Sequence, residues 1–344
     1  PSNVADLCDE GSFLEYGALA VAAQRSRRSE EDLIANTPAD GMVTGIGSVN
    51  GQAFGAELPP GIPPEIAGRT LICPRAEISC VRELCDGRDD IAAVMLEPTG
   101  ATFGQVPLAP AFLAELRDFT ARLGIVLIFD EVITGFRCSP GGAQSLYGVT
   151  PDLAVLAKIL AGGYPGGALV GCADILEVLE HRRTPAGIEL PKVAHQGTHN
   201  AAPMSAAAGI ATLRLIETSD IVERANRTAA TIREEMNRVI RKAGVNWSVY
   251  GTFSAFHIFC NPGAEAVSVT DIDAGRVDPA RLKGATPLEL SQEVRAGFLA
   301  GGVDVIGWPG GMTSAIHDGQ DVDRTVTAFE NLLLMIQEEA RHES

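Results

Sequence analysis

The feature that most constrains this chain is a strand-helix-strand unit at residues 91–131, in which both strands are apolar along their whole length. Ile91-Ala92-Ala93-Val94-Met95-Leu96 is an unbroken apolar run closed by Glu97-Pro98, and Ile125-Val126-Leu127-Ile128-Phe129 is a second that runs straight into Asp130 and Glu131. A strand without polar alternation has both faces covered, the condition of a parallel strand between helix layers. Between the two runs, Phe112, Leu113, Leu116, Phe119 and Leu123 fall on one helical face over 110–123, and Gly124 supplies a natural stop. Such a unit makes a right-handed parallel crossover, so its two carboxylate-bearing strand ends lie at one sheet edge. In open α/β sheets that edge is where ligands bind.

The remaining pattern sorts around this unit. The 344 residues are 46% apolar, enough for about two domains with sizeable cores. Leu58-Pro59-Pro60-Gly61-Ile62-Pro63-Pro64 carries four prolines, cannot be a helix interior, and places a boundary near residue 56. Upstream of it, 42–54 alternates around Asn50-Gly51, a hairpin signal. Downstream, 205–216 reads as a packed helix, 221–243 as a long amphipathic one, 245–259 as strands, and 287–300 and 321–340 as helices. The expected architecture is α/β: a fragment over 1–56, a partial large domain with a mostly parallel sheet over 57–216, and a C-terminal α+β small domain over 217–344.

Charge narrows the function classes. Lys and Arg number 27 against 44 Asp and Glu, a formal net charge of −17 that repels phosphate backbones and anionic lipid. Neither nucleic acid nor membrane is therefore expected as a partner. No window approaches the ~20 apolar residues of a membrane span, and residues 1–11 lack a basic start followed by an apolar stretch. The expectation is a soluble cytoplasmic protein. Its seven cysteines contain no CxxC pair, which points to reduced thiols rather than a disulfide framework or zinc ribbon.

Four segments could carry chemistry. Asp130, at the end of a five-residue apolar strand, loses hydration and needs a cation or a proton, although a helix cap or a pair with Arg137 would also satisfy it. Lys158 lies in Leu153-Ala154-Val155-Leu156-Ala157-Lys158-Ile159-Leu160-Ala161, apolar on both sides. Dehydration there favours a depressed pKa or a Schiff base, against the commoner snorkelling lysine. The run Gly162-Gly163-Tyr164-Pro165-Gly166-Gly167 allows close backbone approach but has neither Walker nor GxGxxG spacing. Gly197-Thr198-His199-Asn200 precedes a helix and offers a hydroxyl and amides to an anion, or an ordinary cap from Asn200 or Ser205. His195 and His199 stand four apart, but a helix there would cross a Gly-Thr pair and no third ligand is evident, so no metal is expected.

Taken in order, Phe129-Asp130-Glu131-Val132-Ile133-Thr134-Gly135-Phe136-Arg137, then Pro151-Asp152-Leu153 with Lys158, then Gly197-Thr198 resemble the class III pyridoxal-phosphate aminotransferases. The chain is most similar to the branch of the glutamate-1-semialdehyde 2,1-aminomutases, through Gly141-Gly142-Ala143-Gln144-Ser145-Leu146-Tyr147-Gly148-Val149 and Ser314-Ala315-Ile316-His317-Asp318. The resemblance covers roughly 57–344 and implies the type I fold of pyridoxal-phosphate enzymes, with pyridoxal 5'-phosphate as cofactor. It implies a homodimer acting on a small-molecule amino donor and acceptor. By position, Lys158 matches the lysine that bonds to the cofactor aldehyde and shuttles a proton. Asp130 matches the acid paired with the pyridine nitrogen, Val132 the side chain on one ring face, and Thr198 a hydroxyl reaching a cofactor phosphate across a dimer interface.

Departures accompany the match. The family's upstream phosphate loop and ring-stacking aromatic are not found before residue 57. The pieces Leu7-Cys8-Asp9-Glu10-Gly11-Ser12-Phe13-Leu14-Glu15-Tyr16-Gly17 and Thr37-Pro38-Ala39-Asp40-Gly41-Met42-Val43-Thr44-Gly45 instead resemble the opening of a biotin-dependent acyl-CoA carboxyltransferase β-subunit. The chain therefore reads as a junction of two truncated genes, with an inactive fused chain as the alternative to an enzyme. Ala202 replaces a frequent family Asn, and Pro309 stands where the aminomutases place a functional Glu, so general aminotransferase character is favoured over mutase activity.

Overall fold

The computed structural model describes residues 44–47, 70–73, 75–193, 195, 197–261, 263, 265–284, 286–307 and 309–342. The carboxyltransferase-like signature, apart from Thr44 and Gly45, and the proline-rich linker at 58–64 lie outside them. The chain divides into two compact units, one drawn from residues 1–98, 111–136 and 141–215, the other from 99–110, 137–140 and 216–344.

The first unit is organised by six strands: β1 (Thr44–Gly47), β2 (Thr70–Ile72), β3 (Ile91–Leu96), β4 (Val126–Glu131), β5 (Leu153–Leu156) and β6 (Ala168–Gly171). Their order is β2-β1-β3-β4-β5-β6. Every neighbouring pair from β2 to β5 is parallel, and β6 closes the edge antiparallel to β5. The two apolar runs are therefore adjacent central strands, and Val126, Leu127, Ile128 and Phe129 are all buried. Side chains of this size each stabilise the fold by roughly 1.5–3 kcal/mol when fully buried, which is why the runs tolerate no polar alternate.

One local expectation is corrected. Thr44–Gly47 was expected in a hairpin, yet β1 runs parallel to both β2 and β3. Alternation and an Asn-Gly pair specify an extended segment and a turn; the choice of pairing partner is made by distant strands.

Helix α1 (Ile78–Cys85) lies between β2 and β3, and helix α2 (Phe112–Leu123) between β3 and β4. Helix α2 buries Phe112, Leu113, Leu116 and Thr120, and Gly124 ends it with φ +67. Leu123, placed on the apolar face by spacing, is exposed because it occupies the last turn. Asp152, just before β5, accepts from the Leu127 amide at 2.7 Å and pairs with Arg117 of α2 at 3.0 Å, fastening helix, β4 and β5 together.

The second unit has a three-stranded antiparallel sheet of β7 (Ser248–Tyr250), β8 (Ala255–Phe259) and β9 (Gly310–Met312), in the order β9-β8-β7. Val222, Ala225, Ala229, Ile232, Met236 and Ile240 recur every three or four residues and form its buried helical stripe. That stripe and neighbouring helices bury Phe256, Ile258, Phe298, Phe329, Leu332 and Leu333 in one cluster. Among the described residues no helix is long and apolar enough to cross a membrane.

A titratable group sits in the middle of this unit. His257 of β8 is 1% exposed, lies 4.9 Å from the Phe103 ring and 5.4 Å from the Tyr250 ring, and donates from Nε2 to the Phe103 carbonyl at 3.4 Å. Its Nδ1 has no hydrogen-bond partner among the described residues. Burial, reinforced by the Arg233 guanidinium and opposed by the Phe103 carbonyl, pushes this imidazole down to about 4.

Candidate active site

The site begins where β4 ends. Strand alternation sends Asp130 and Glu131 to opposite faces of the sheet. Asp130 is half-buried, and its Oδ1 accepts the Val132 amide at 3.0 Å. Val132 is buried in the same apolar cluster as Ile128 and Val155. By register, Leu96 of β3 faces Phe129, which brings Glu97 alongside Asp130 one residue further on.

On the other flank, Asp130 pairs with Val155 and Glu131 with Leu156, the last residue of β5. Ala157 continues extended, and Lys158 then opens the short 3-10 turn Lys158–Ala161 with φ +48. A left-handed backbone at a non-glycine residue stores strain of order 1 kcal/mol and persists only where its surroundings hold it.

The next helices are α3 (Gly142–Tyr147) and α4 (Pro203–Thr218), and α4 does the holding. A Cβ on Gly162, which has φ +61, would lie 2.6 Å from the Thr212 hydroxyl and 2.8 Å from the Ala208 carbonyl oxygen. A Cβ on Gly209 would lie 2.6 Å from the Leu160 carbonyl oxygen. Two glycines thus let the helix press directly on the lysine turn. Ser205 Oγ donates to the Pro165 carbonyl at 2.5 Å, so it ties α4 to the glycine-rich loop, not to its own amides.

With adjacent strands ~4.8 Å apart and a rise of ~3.3 Å per residue, the backbones of Asp130 and Lys158 are about 11 Å apart at one sheet edge. The two side chains and one six-membered ring between them can fill that span. The expectation that Lys158 is dehydrated is corrected: it is exposed, while Ala157 and Ala161 on either side are buried. Its apolar neighbours turn inward and the left-handed residue turns out, which a linear reading of the apolar flanks does not reveal.

Asp130, Val132 and Lys158 are brought to one edge. Thr198 stands in an exposed turn with His199 and Asn200, and among the described residues no hydrogen bond joins it to the other three. His195 and His199 are exposed, and no group of three metal-ligating side chains occurs among the described residues.

Reasoning from sequence missed the part played by Glu131, which is 1% exposed. Its Oε2 accepts the Ala143 amide at 2.6 Å and the Thr134 hydroxyl at 3.1 Å, and its Oε1 accepts Gln144 Nε2 at 3.0 Å. A signal was present: Gly141-Gly142 ahead of Ala143-Gln144 marks a place where something comes close to backbone. A Cβ on Gly142 would lie 2.5 Å from Glu131 Oε2.

A mixed, mostly parallel sheet bearing an acid and a lysine at adjacent strand ends defines the class first. An ω-transaminase from Sphaerobacter thermophilus shares the fold with a TM-score of 0.73 and 27% identity, covering 94% of this chain and 72% of its own. A transaminase with PLP bound gives a TM-score of 0.74 at 23% identity, covering 97% of this chain and 73% of its own, a likeness of fold alone. The architecture is the type I fold of pyridoxal-phosphate-dependent transaminases.

The chain belongs to the class-III aminotransferase family, whose sequence pattern matches residues 34–269. That match begins upstream of the junction expected near residue 56. The glutamate-1-semialdehyde 2,1-aminomutase of Ignicoccus hospitalis is 34% identical over 288 residues, covering 82% of this chain and 63% of its own length. The chain spans less than two thirds of the length of the curated relatives it matches, from 42% to 63%.

Proposed function

We propose that this protein uses pyridoxal 5'-phosphate to transfer or relocate an amino group on a small amino acid or amino-aldehyde. The observation that carries this reading is the placement of Asp130 and Lys158 at the ends of adjacent parallel strands, at the edge where open α/β sheets bind ligands. The donor set suits the cofactor: a primary amine for its aldehyde, a carboxylate for its ring nitrogen and an apolar wall, Val132, for its ring. Bound there, it would supply an electron-withdrawing ring that makes the substrate Cα proton removable.

The chain's own residues do the rest. Lys158 Nζ holds the cofactor covalently and, once released, carries a proton to and from the substrate carbon. Lys158 is exposed at that edge. Asp130, steadied by the Val132 amide, keeps a proton on the ring nitrogen. Thr198 offers a hydroxyl to the phosphate. Pro309 in place of the aminomutases' functional Glu favours transfer between molecules over relocation within one.

Borohydride reduction of the protein incubated with pyridoxal phosphate tests the site. Mass spectrometry is expected to find a pyridoxyl adduct on Lys158, and its absence removes the assignment.

We further read the chain as a homodimer, supported by the large apolar side chains that α4 leaves exposed: Met204 at 63%, Ile210 at 52% and Leu215 at 57%. Faces of this kind mark protein contacts. Light scattering is expected to return twice the 36.1 kDa chain mass; a monomer at micromolar concentration would refute it.

A further inference from the structure

We infer that Glu131 is the positioning residue that sets the separation between Asp130 and Lys158. The inference rests on the function proposed above for those two side chains. Glu131 belongs to both arms of the site. Its backbone is the register partner of Leu156, two residues before Lys158, and it directly follows Asp130. Its carbonyl accepts the Gly135 amide at 2.9 Å and closes the turn 132–135. That turn packs on β5: a Cβ on Gly135 would lie 2.6 Å from Leu156 Cδ2 and 2.8 Å from the Glu131 carbonyl oxygen.

The side chain lies beside that turn, where a Cβ on Gly135 would lie 3.6 Å from Glu131 Cβ. It is a buried carboxylate whose hydrogen-bond donors are Thr134, Ala143 and Gln144. Hydrogen bonds to an ionised acceptor are roughly twice as strong as neutral ones, and a carboxylate offers acceptors only. Glutamine has the same shape but turns one acceptor into an NH2 facing donors that need a lone pair. With its carbonyl held by Ala143 and Thr134, the new NH2 meets Gln144 as a donor, so one bond of the three is lost or reversed and the segment 142–144 is held less firmly to the strand end that carries Asp130.

The test uses the full chain as parent, Glu131→Gln and Gln144→Ala, each checked for folding by circular dichroism. Pyridoxal phosphate is titrated by visible absorbance from pH 6 to 9. Glu131→Gln is expected to weaken cofactor binding about tenfold and to shift the pH midpoint of the visible band. Gln144→Ala, which removes one donor and leaves the carboxylate, moves both in the same direction by about threefold in affinity. In parallel, cofactor-free protein is acylated with an amine-reactive reagent, and the rate at Lys158 is read by mass spectrometry against exposed Lys192. The ratio is expected to change at least twofold in Glu131→Gln, a readout that a loss of stability alone would not move.

A folded Glu131→Gln with parental affinity, band midpoint and labelling ratio overturns the inference. Should Glu131→Gln fail to fold, an unaltered Gln144→Ala overturns it instead. A parent that gives no pyridoxyl adduct on Lys158 defeats the proposed function, and the labelling ratio still decides the role of Glu131.

Discussion

Lys158→Ala is expected to abolish the pyridoxyl adduct and to lower amino-group turnover by roughly 10⁴-fold, because the same nitrogen serves as covalent anchor and proton carrier. Neighbouring side chains do not replace it: Ala157 and Ala161 carry no acid or base, and the other named groups at the edge are carboxylates. The backbone supplies a second, independent reading. Lys158 holds φ +48, a left-handed conformation that costs a non-glycine residue stability. Lys158→Gly, which adopts that φ freely, is expected to raise the stability of the cofactor-free protein by roughly 1 kcal/mol while removing activity as completely as alanine does. Thermal melts of the two variants beside the parent, with amino-donor assays on each, test both halves. Turnover surviving in Lys158→Ala contradicts the catalytic assignment, and a glycine variant less stable than the alanine one contradicts the strain.

The second large effect concerns acid. His257 titrates at about 4 in the folded second unit against about 6.5 for an unperturbed imidazole. The unfolded chain therefore binds a proton that the folded chain refuses. Its contribution to stability is fully present above pH 6.5, falls as pH drops from 6.5 to 4, and is constant below. The difference between the two values corresponds to about 3 kcal/mol.

Burial raises the carboxyl of Asp273 and Arg233 partly offsets this, so Asp273 contributes with the opposite sign over part of the same range. The informative quantity is accordingly the difference between parent and His257→Gln. Urea midpoints followed by tryptophan fluorescence report on this unit, because both tryptophans, Trp247 and Trp308, belong to residues 216–344. The parent is expected to lose about 3 kcal/mol more than His257→Gln between pH 6.5 and pH 4. Parallel pH profiles would show that His257 is not what makes the unit acid-sensitive.

How much of this was legible follows from particular residues. Strand β3 and helix α5 (Ile221–Ala243) coincide with the expected 91–96 and 221–243 to the residue. Helix α2 stops at the glycine marked as its stop. Asp130 and Lys158 were singled out by an ionisable group standing in apolar sequence, and both stand at one edge of the sheet. That an ionisable residue interrupts or ends an apolar run is a property of consecutive residues and can be read locally.

Legibility ended at questions of partner and facing. The alternation at 42–54 identified an extended stretch but not that Thr44–Gly47 would pair in parallel with β2 and β3. The apolar flanks of Lys158 suggested dehydration; a left-handed residue pressed by α4 turned it outward. His257 gave no signal in sequence, because its environment comes from Phe103 and Tyr250, residues 154 and 7 positions away.

The order of residues by itself determined which segments become strand or helix and which two ionisable groups stand at a sheet edge, because periodicity and termini are properties of consecutive side chains. Only the tertiary structure decided that Lys158 is exposed and strained, that Glu131 joins the two arms of the site, and that His257 is sealed from water. Those are outcomes of register, close approach and burial, which arise when parts of the chain distant in sequence exclude solvent from one another.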